Sequence, residues 1–127
     1  MNEKLKALIV DDEMDVCFLL SNVLTGRNFA VHSVHSISEA RAMLMQDHPS
    51  VIFLDNHLPD GFGINFIGEI KKSAPQTKIV MITAYDTKTD RDKAYVEGVD
   101  YFIGKPFNRD DIFHALDHTM KLNNVEL

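Results

Sequence analysis

Five short apolar runs punctuate this chain, and each is followed by a stretch that reads as a helix. The runs are Leu5–Val10, Phe29–Val34, Val51–Asp55, Lys78–Ala84 and Tyr101–Gly104. Near-continuous apolar character, rather than strict alternation, marks strands that are covered on both faces. Between the runs, Val16, Leu19, Leu20, Val23 and Leu24 predict a first helix that stops at Gly26. Ser36 and Glu39 form a capping box for a second helix, with Ala40, Met43 and Leu44 inward, ending before Pro49. A third helix is expected from about Gly63 to Ser73 through Phe66, Ile67 and Ile70, and a fourth from Asp86 to Glu97, closed by Gly98. Asn108 caps a fifth helix whose Ile112, Leu116 and Met120 recur every four residues.

Strand and helix alternating five times imply an α/β fold: a parallel five-stranded sheet with helices on both faces. Right-handed crossovers reduce the arrangements to the flavodoxin-like doubly wound order 2-1-3-4-5. A length of 127 residues fits one domain, residues 1–127, with 122–127 read as the start of a linker or tail. The fourth helix carries so many charges (Asp86, Lys88, Asp90, Arg91, Asp92, Lys93) that it has little to bury and should be loosely held.

In such a sheet ligands meet the carboxyl ends of the strands, where the order reverses between strands one and three. Strand one delivers Asp11 and Asp12 there, strand three Asp55, strand four Thr83 and strand five Lys105. Unit like charges about 4 Å apart cost on the order of 4 kcal/mol at an effective dielectric near 20. Clustered carboxylates therefore raise their pKa values or hold a cation, and an incomplete all-oxygen cage suits Mg2+. A hydroxyl and an ammonium beside them suit an anion. Metal, anion site and carboxylate nucleophile together equip a site for phosphoryl transfer to an aspartate.

With these residues in order at the strand ends, the chain resembles the receiver domain of bacterial two-component response regulators. The motifs are Asp11-Asp12, Asp55 followed by Pro59 and Gly63, Thr83-Ala84, and Lys105-Pro106-Phe107, and the match runs from about Lys4 to Lys121. The resemblance implies that Asp55 is the phosphoacceptor, loaded from the phosphohistidine of a sensor histidine kinase or phosphotransfer protein. It implies Mg2+, or Mn2+ in its place, held by Asp12, Asp55 and the backbone carbonyl of His57, with Asp11 acting through a water. Thr83 and Lys105 would hold the phosphoryl oxygens, Thr83 and Phe102 would form the switch, and the Lys105-Pro106 bond would be cis. Signalling would pass through the face of the fourth helix, fifth strand and fifth helix to an effector domain or protein, with homodimerisation a further consequence of phosphorylation. His57 and Tyr85 occupy the two positions at which the family tunes phosphoryl lifetime, and the bulk of Tyr85 argues for a long one. Asn56 stands where the family usually has an aliphatic residue, and Phe102 lacks the hydroxyl of the commoner tyrosine.

Other readings fit less well. A haloacid-dehalogenase-like hydrolase places its aspartates in a DxD motif after the first strand and needs a cap, whereas this chain has Asp55-Asn56-His57 after the third. An FMN-binding flavodoxin needs a phosphate loop where Asp11-Asp12-Glu13 would repel phosphate. A degenerate receiver serving only as a docking module would not need the full set of acids, Thr83 and Lys105. The expectation is a signalling switch rather than a conventional enzyme, either free-standing or the first part of a longer regulator. A net charge of -6 argues against direct nucleic-acid binding. Lone Cys17 excludes an internal disulfide, and no apolar stretch or signal-like start points to a membrane, so a cytoplasmic location is expected.

Overall fold

The structure is a computed structural model, and it describes residues 4–120. The tail expected at 122–127 lies outside the described residues. Strands β1 (Leu5–Val10), β2 (Phe29–Val34), β3 (Val51–Asp55), β4 (Lys78–Thr83) and β5 (Tyr101–Gly104) form one parallel sheet in the order 2-1-3-4-5. Helices α1 (Met14–Gly26), α2 (Ile37–Gln46), α3 (Ile67–Ser73), α4 (Lys88–Glu97) and α5 (Arg109–Met120) connect and cover it. The expected fold and strand order are both present.

Alternation along each strand divides the interior into two cores. Leu8, Val10, Ile52, Leu54, Ile79 and Met81 face α2, α3 and α4. Ala7, Ile9, Phe53, Val80 and Ile82 face α1 and α5. All five residues of β3 are buried, so the central strand is rigidly seated and its end is fixed in position. Each large aliphatic side chain buried in this way stabilises by roughly 1.5–3 kcal/mol.

Local chemistry moves several element ends. Helix α1 ends at Gly26, as expected, and the left-handed turn that follows falls on Asn28, whose φ is 70°. A short polar side chain tolerates that left-handed conformation. The inward stripe of α1 is Cys17, Leu20, Val23 and Leu24, whereas Leu19, expected inside, is 42% exposed because it lies a helical step off that stripe. The capping box at Ser36 is present: its hydroxyl accepts the Glu39 amide, while the Glu39 carboxylate accepts the amide of His35.

The third helical segment opens as a 3-10 turn, Gly63–Phe66, before α3 begins at Ile67. Strand β4 ends at Thr83, one residue before Ala84. Helix α4 begins at Lys88 rather than Asp86, because the Thr87 hydroxyl takes the cap by accepting the Asp90 amide. Gly98 closes α4 in the left-handed region with φ 114°, as expected. Ala94 is the one residue of α4 buried among the described residues, and Val96 is 83% exposed, so this helix has a small footing on the sheet. Asn108 caps α5 by accepting the Asp111 amide.

Candidate functional site

Neighbouring parallel strands bring their ends to one edge, and the acidic residues meet there. One carboxylate oxygen from each of Asp11, Asp12 and Asp55 lies within 4.8 Å of the others. Asp11 and Asp55 are buried and Asp12 is exposed. The backbone holds these residues from several sides. The Asp11 amide donates to the Val34 carbonyl, and the buried Cys17 thiol donates to the Asp11 carbonyl at 3.2 Å. The expected buried helix position of Cys17 therefore has a local purpose: it fixes the loop that presents Asp11.

Lys105 reaches this cluster from β5. Its backbone amide donates to the Thr83 carbonyl at 2.7 Å, tying the exits of β4 and β5 together. Its ammonium lies 3.0 Å from Asp11 Oδ2 and 3.6 Å from Asp55 Oδ1, and it also pairs with Glu13. Asp11 Oδ2 has no hydrogen bond of normal geometry, so this buried oxygen depends on the nearby charge of Lys105. The Lys105-Pro106 peptide is cis, as the resemblance implied.

Electrostatics follow from burial. Burial pushes the Asp55 carboxyl up to about 6, with the charge of Asp11 adding to the rise; Lys105 and the amides of His57 and Asn56 pull the other way. Burial likewise raises Asp11, against the Glu13 amide and Lys105. Burial works to lower Lys105, but its bonds to Glu13 and Asp11 and the charges of Asp11 and Asp55 outweigh it, so its pKa is raised. Lys105 therefore stays an ammonium. The set suits a divalent cation: three convergent carboxylates, one of them exposed, with a buried Asp11 oxygen held by the Lys105 ammonium alone.

Thr83 is buried at the end of β4, and its hydroxyl accepts the Tyr85 amide at 3.2 Å. The chain after Asp55 forms a two-rung antiparallel hairpin, with His57 opposite Phe62 and Leu58 opposite Gly61. Asn56 explains its own departure from the family pattern: its carbonyl accepts the Gly63 amide and its side-chain oxygen accepts the Ile64 amide, closing this loop with polar bonds. The His57 ring lies 4.3 Å from the Tyr85 ring and 5.3 Å from the Phe62 ring, centroid to centroid.

Phe102 is half-buried, packs on the α2–α4 side of the sheet, and has the Arg91 guanidinium 5.6 Å from its ring centre. Arg91 in turn pairs with Asp86, whose carboxylate occupies the space that a Cβ on Gly104 would fill. The sequence singled out Asp11, Asp12, Asp55 and Lys105, and the fold brings all four together, with Thr83 at the end of the neighbouring strand β4. Glu13, Phe62 and Asp86 were not singled out. Only Glu13 carried a signal, as the third acid of Asp11-Asp12-Glu13.

The comparisons agree with this geometry. Residues 7–117 match the model of the response regulator receiver domain. The chain is 33% identical over 121 residues to the response regulator protein PilR of Pseudomonas aeruginosa, covering 95% of this chain and 27% of that protein. It is 35% identical over 101 residues to the transcriptional regulatory protein SrrA of Staphylococcus aureus, covering 80% of this chain and 42% of that protein. The chain thus spans less than half the length of either curated relative. A CheY-like receiver domain from Methanospirillum hungatei superposes with a TM-score of 0.86 at 24% identity, over 98% of both chains. A response regulator from Burkholderia pseudomallei, with a phosphorylated aspartic acid, a calcium ion and citrate, superposes with a TM-score of 0.84 at 24% identity, over 97% of this chain and 71% of that one. With that family match over most of its length, on a five-stranded sheet whose edge gathers the expected acids and lysine, the chain belongs to the response regulator receiver domain family.

Proposed function

We propose that Asp55 accepts a phosphoryl group from the phosphohistidine of a sensor histidine kinase or phosphotransfer protein, and that the protein works as a cytoplasmic signalling switch rather than a turnover enzyme. One observation carries this reading: Asp55 ends a fully buried strand with its carboxylate beside those of Asp11 and Asp12 and 3.6 Å from the Lys105 ammonium. At neutral pH a carboxyl with a pKa of about 6 is mostly ionised and can act as a nucleophile. Its oxygen attacks phosphorus, the phosphorus–nitrogen bond breaks, and the electron pair stays on the imidazole. Lys105 and the Thr83 hydroxyl would then hold phosphoryl oxygens, and Lys105 must turn from Asp11 and Glu13 to do so. Mg2+, or Mn2+, on Asp12, Asp55 and the His57 carbonyl, with Asp11 through a water, would neutralise charge on the transferring group.

The switch follows from what Thr83 gives up. If its hydroxyl turns to a phosphoryl oxygen, the Tyr85 amide loses its acceptor, and the loop carrying Asp86 is freed beside Arg91 and Phe102. Helix α4, with its small buried footing, is the element most readily shifted, and the α4–β5–α5 face would carry the signal to an effector domain or protein, or to a second copy. We assign the chain to one receiver unit, with 122–127 as the start of a linker or tail, and no direct nucleic-acid role. Among the described residues no helix is long and apolar enough to cross a membrane. Incubation with acetyl phosphate and Mg2+ should add one phosphoryl group per chain by intact mass. An unchanged mass, or multiple turnover of a generic phosphate ester, would overturn the reading.

Two expected outcomes follow. Because the Asp55 pKa is raised on folding, the folded chain binds a proton that the unfolded chain lacks between pH 3.8 and about 6. The contribution of this group to stability is therefore largest below that window and falls as pH rises through it. A divalent ion must displace the same proton. Mg2+ at tenfold excess over its Kd should stabilise by about 1.4 kcal/mol at pH 8, and the gain should fall to about 0.4 kcal/mol near pH 5, where most of Asp55 holds its proton; thermal melts with and without Mg2+ at both pH values measure it. Second, Tyr85→Ala should shorten the phosphoryl lifetime, because it removes the ring that packs on His57 beside the site. A decay rate equal to wild type would show that Tyr85 does not shield the phosphoryl group.

A further inference from the structure

The rings of His57 and Tyr85 join two loops that flank the acceptor. The His57 backbone amide lies against the Asp55 carboxylate, and the Tyr85 amide donates to the Thr83 hydroxyl. Since β3 and β4 are hydrogen-bonded neighbours, with Asp55 opposite Ile82, ring contact between residues 57 and 85 closes the gap between their exits. This contact needs His57 to be held in place, and His57 is itself exposed on a hairpin of two rungs.

The hairpin is unusually well anchored for its size. The Asp60 carboxylate at its tip accepts the amides of Ile37 and Ser38 at 2.8 and 3.0 Å, capping α2 from outside that helix. Asn56 holds its base through Gly63 and Ile64. Between these anchors Phe62 stands opposite His57, its ring edge-on at an interplanar angle of 82°. Phe62 is 51% exposed, so burial gains little from it and hydrophobic anchoring does not account for its place. An edge-to-face aromatic neighbour does restrict the rotamer of the ring that it touches.

We propose that Phe62 is a positioning residue for phosphoryl retention: it holds the His57 ring against Tyr85, and this three-ring wall limits the approach of nucleophiles to phosphorylated Asp55. The proposal rests on the reading of Asp55 as phosphoacceptor. Faster loss lowers the occupancy reached while the donor is present, so the decay rate after its removal, and not the extent of loading, reports on Phe62.

The test uses the full chain, loaded with acetyl phosphate and Mg2+, freed of phosphodonor and followed by intact mass, with and without hydroxylamine as an added nucleophile. Phe62→Ala should speed loss of the phosphoryl group roughly twofold to tenfold, the rate equivalent of one aromatic pair, and should raise sensitivity to hydroxylamine by a similar factor. Phe62→Tyr should restore the wild-type lifetime. Phe62→Ala combined with Tyr85→Ala should decay no faster than Tyr85→Ala alone, since both changes open the same wall. Wild-type decay in Phe62→Ala, additive effects in the double variant, or faster decay that tracks a lowered melting point and is not rescued by tyrosine would each overturn the proposal alone. Failure of the wild type to load would overturn it together with the reading of Asp55.

Discussion

Asp55→Asn protein should gain no mass from acetyl phosphate and Mg2+ under conditions that load the wild type fully, and it should melt later than wild type in metal-free buffer at pH 8. The first half follows from chemistry. An amide is a poor nucleophile and a poor cation ligand, and no other carboxylate among the described residues has the same combination of burial, position at the end of β3 and a nearby ammonium. The second half follows from the same burial. A carboxylate whose pKa has been pushed up to about 6 is a destabilising charge at pH 8, even with Lys105 3.6 Å away. An amide of the same shape removes that cost and the repulsion from Asp11, and should stabilise by about 1–2 kcal/mol. Mass spectrometry and a thermal melt on one pair of proteins test both halves. An adduct on Asp55→Asn would move the acceptor elsewhere. A lower melting point with no adduct would leave the acceptor in place but show that the Asp55 charge is satisfied in the folded chain.

The acids and the lysine were legible in the sequence because each apolar run ends abruptly in a polar residue. A parallel sheet makes those ends neighbours whatever the loops do, so Asp11, Asp55, Thr83 and Lys105 needed only strand order to be assembled. The direction of the Lys105 ammonium could not be read in that way. It lies against Asp11 and Glu13 because these are the nearest acceptors, and that choice depends on side-chain rotamers. The start of α4 was misplaced for a related reason. Both Asp86 and Thr87 are capping residue types; Asp86 is drawn to Arg91 and to the hollow at Gly104, which leaves the cap to Thr87. The hairpin after Asp55 was hidden because its strands are two residues each, too short for any periodicity, and Phe62 was hidden with it.

Gly63→Ala is expected to destabilise the protein by about 3 kcal/mol, the upper part of the range for overpacking, lowering its melting point by roughly 10 °C. The φ of Gly63 is not the cause, since the positive-φ glycines among the described residues are Gly61 and Gly98. The cause is space: a Cβ on Gly63 would press into the carbonyl oxygen of Asp55 and lie 3.1 Å from Leu54 Cγ. Backbone oxygen cannot rotate away as a lysine tip can, and Leu54 is fully buried, so either the 3-10 turn or the end of β3 must shift. Gly63 is also tied down by its own amide on the Asn56 carbonyl, which prevents the turn from moving without loss of that bond. The displacement therefore falls on Asp55 itself, and the variant should load with phosphoryl much more slowly than wild type even at a temperature where it is fully folded. Gly68→Ala is the matched control, because nothing lies within 4 Å of a Cβ there. It should be neutral or slightly stabilising through helix propensity. Equal melting points for the two alanine variants would mean that the loop beside Asp55 yields freely, and the rigid seating of the acceptor would have to be abandoned.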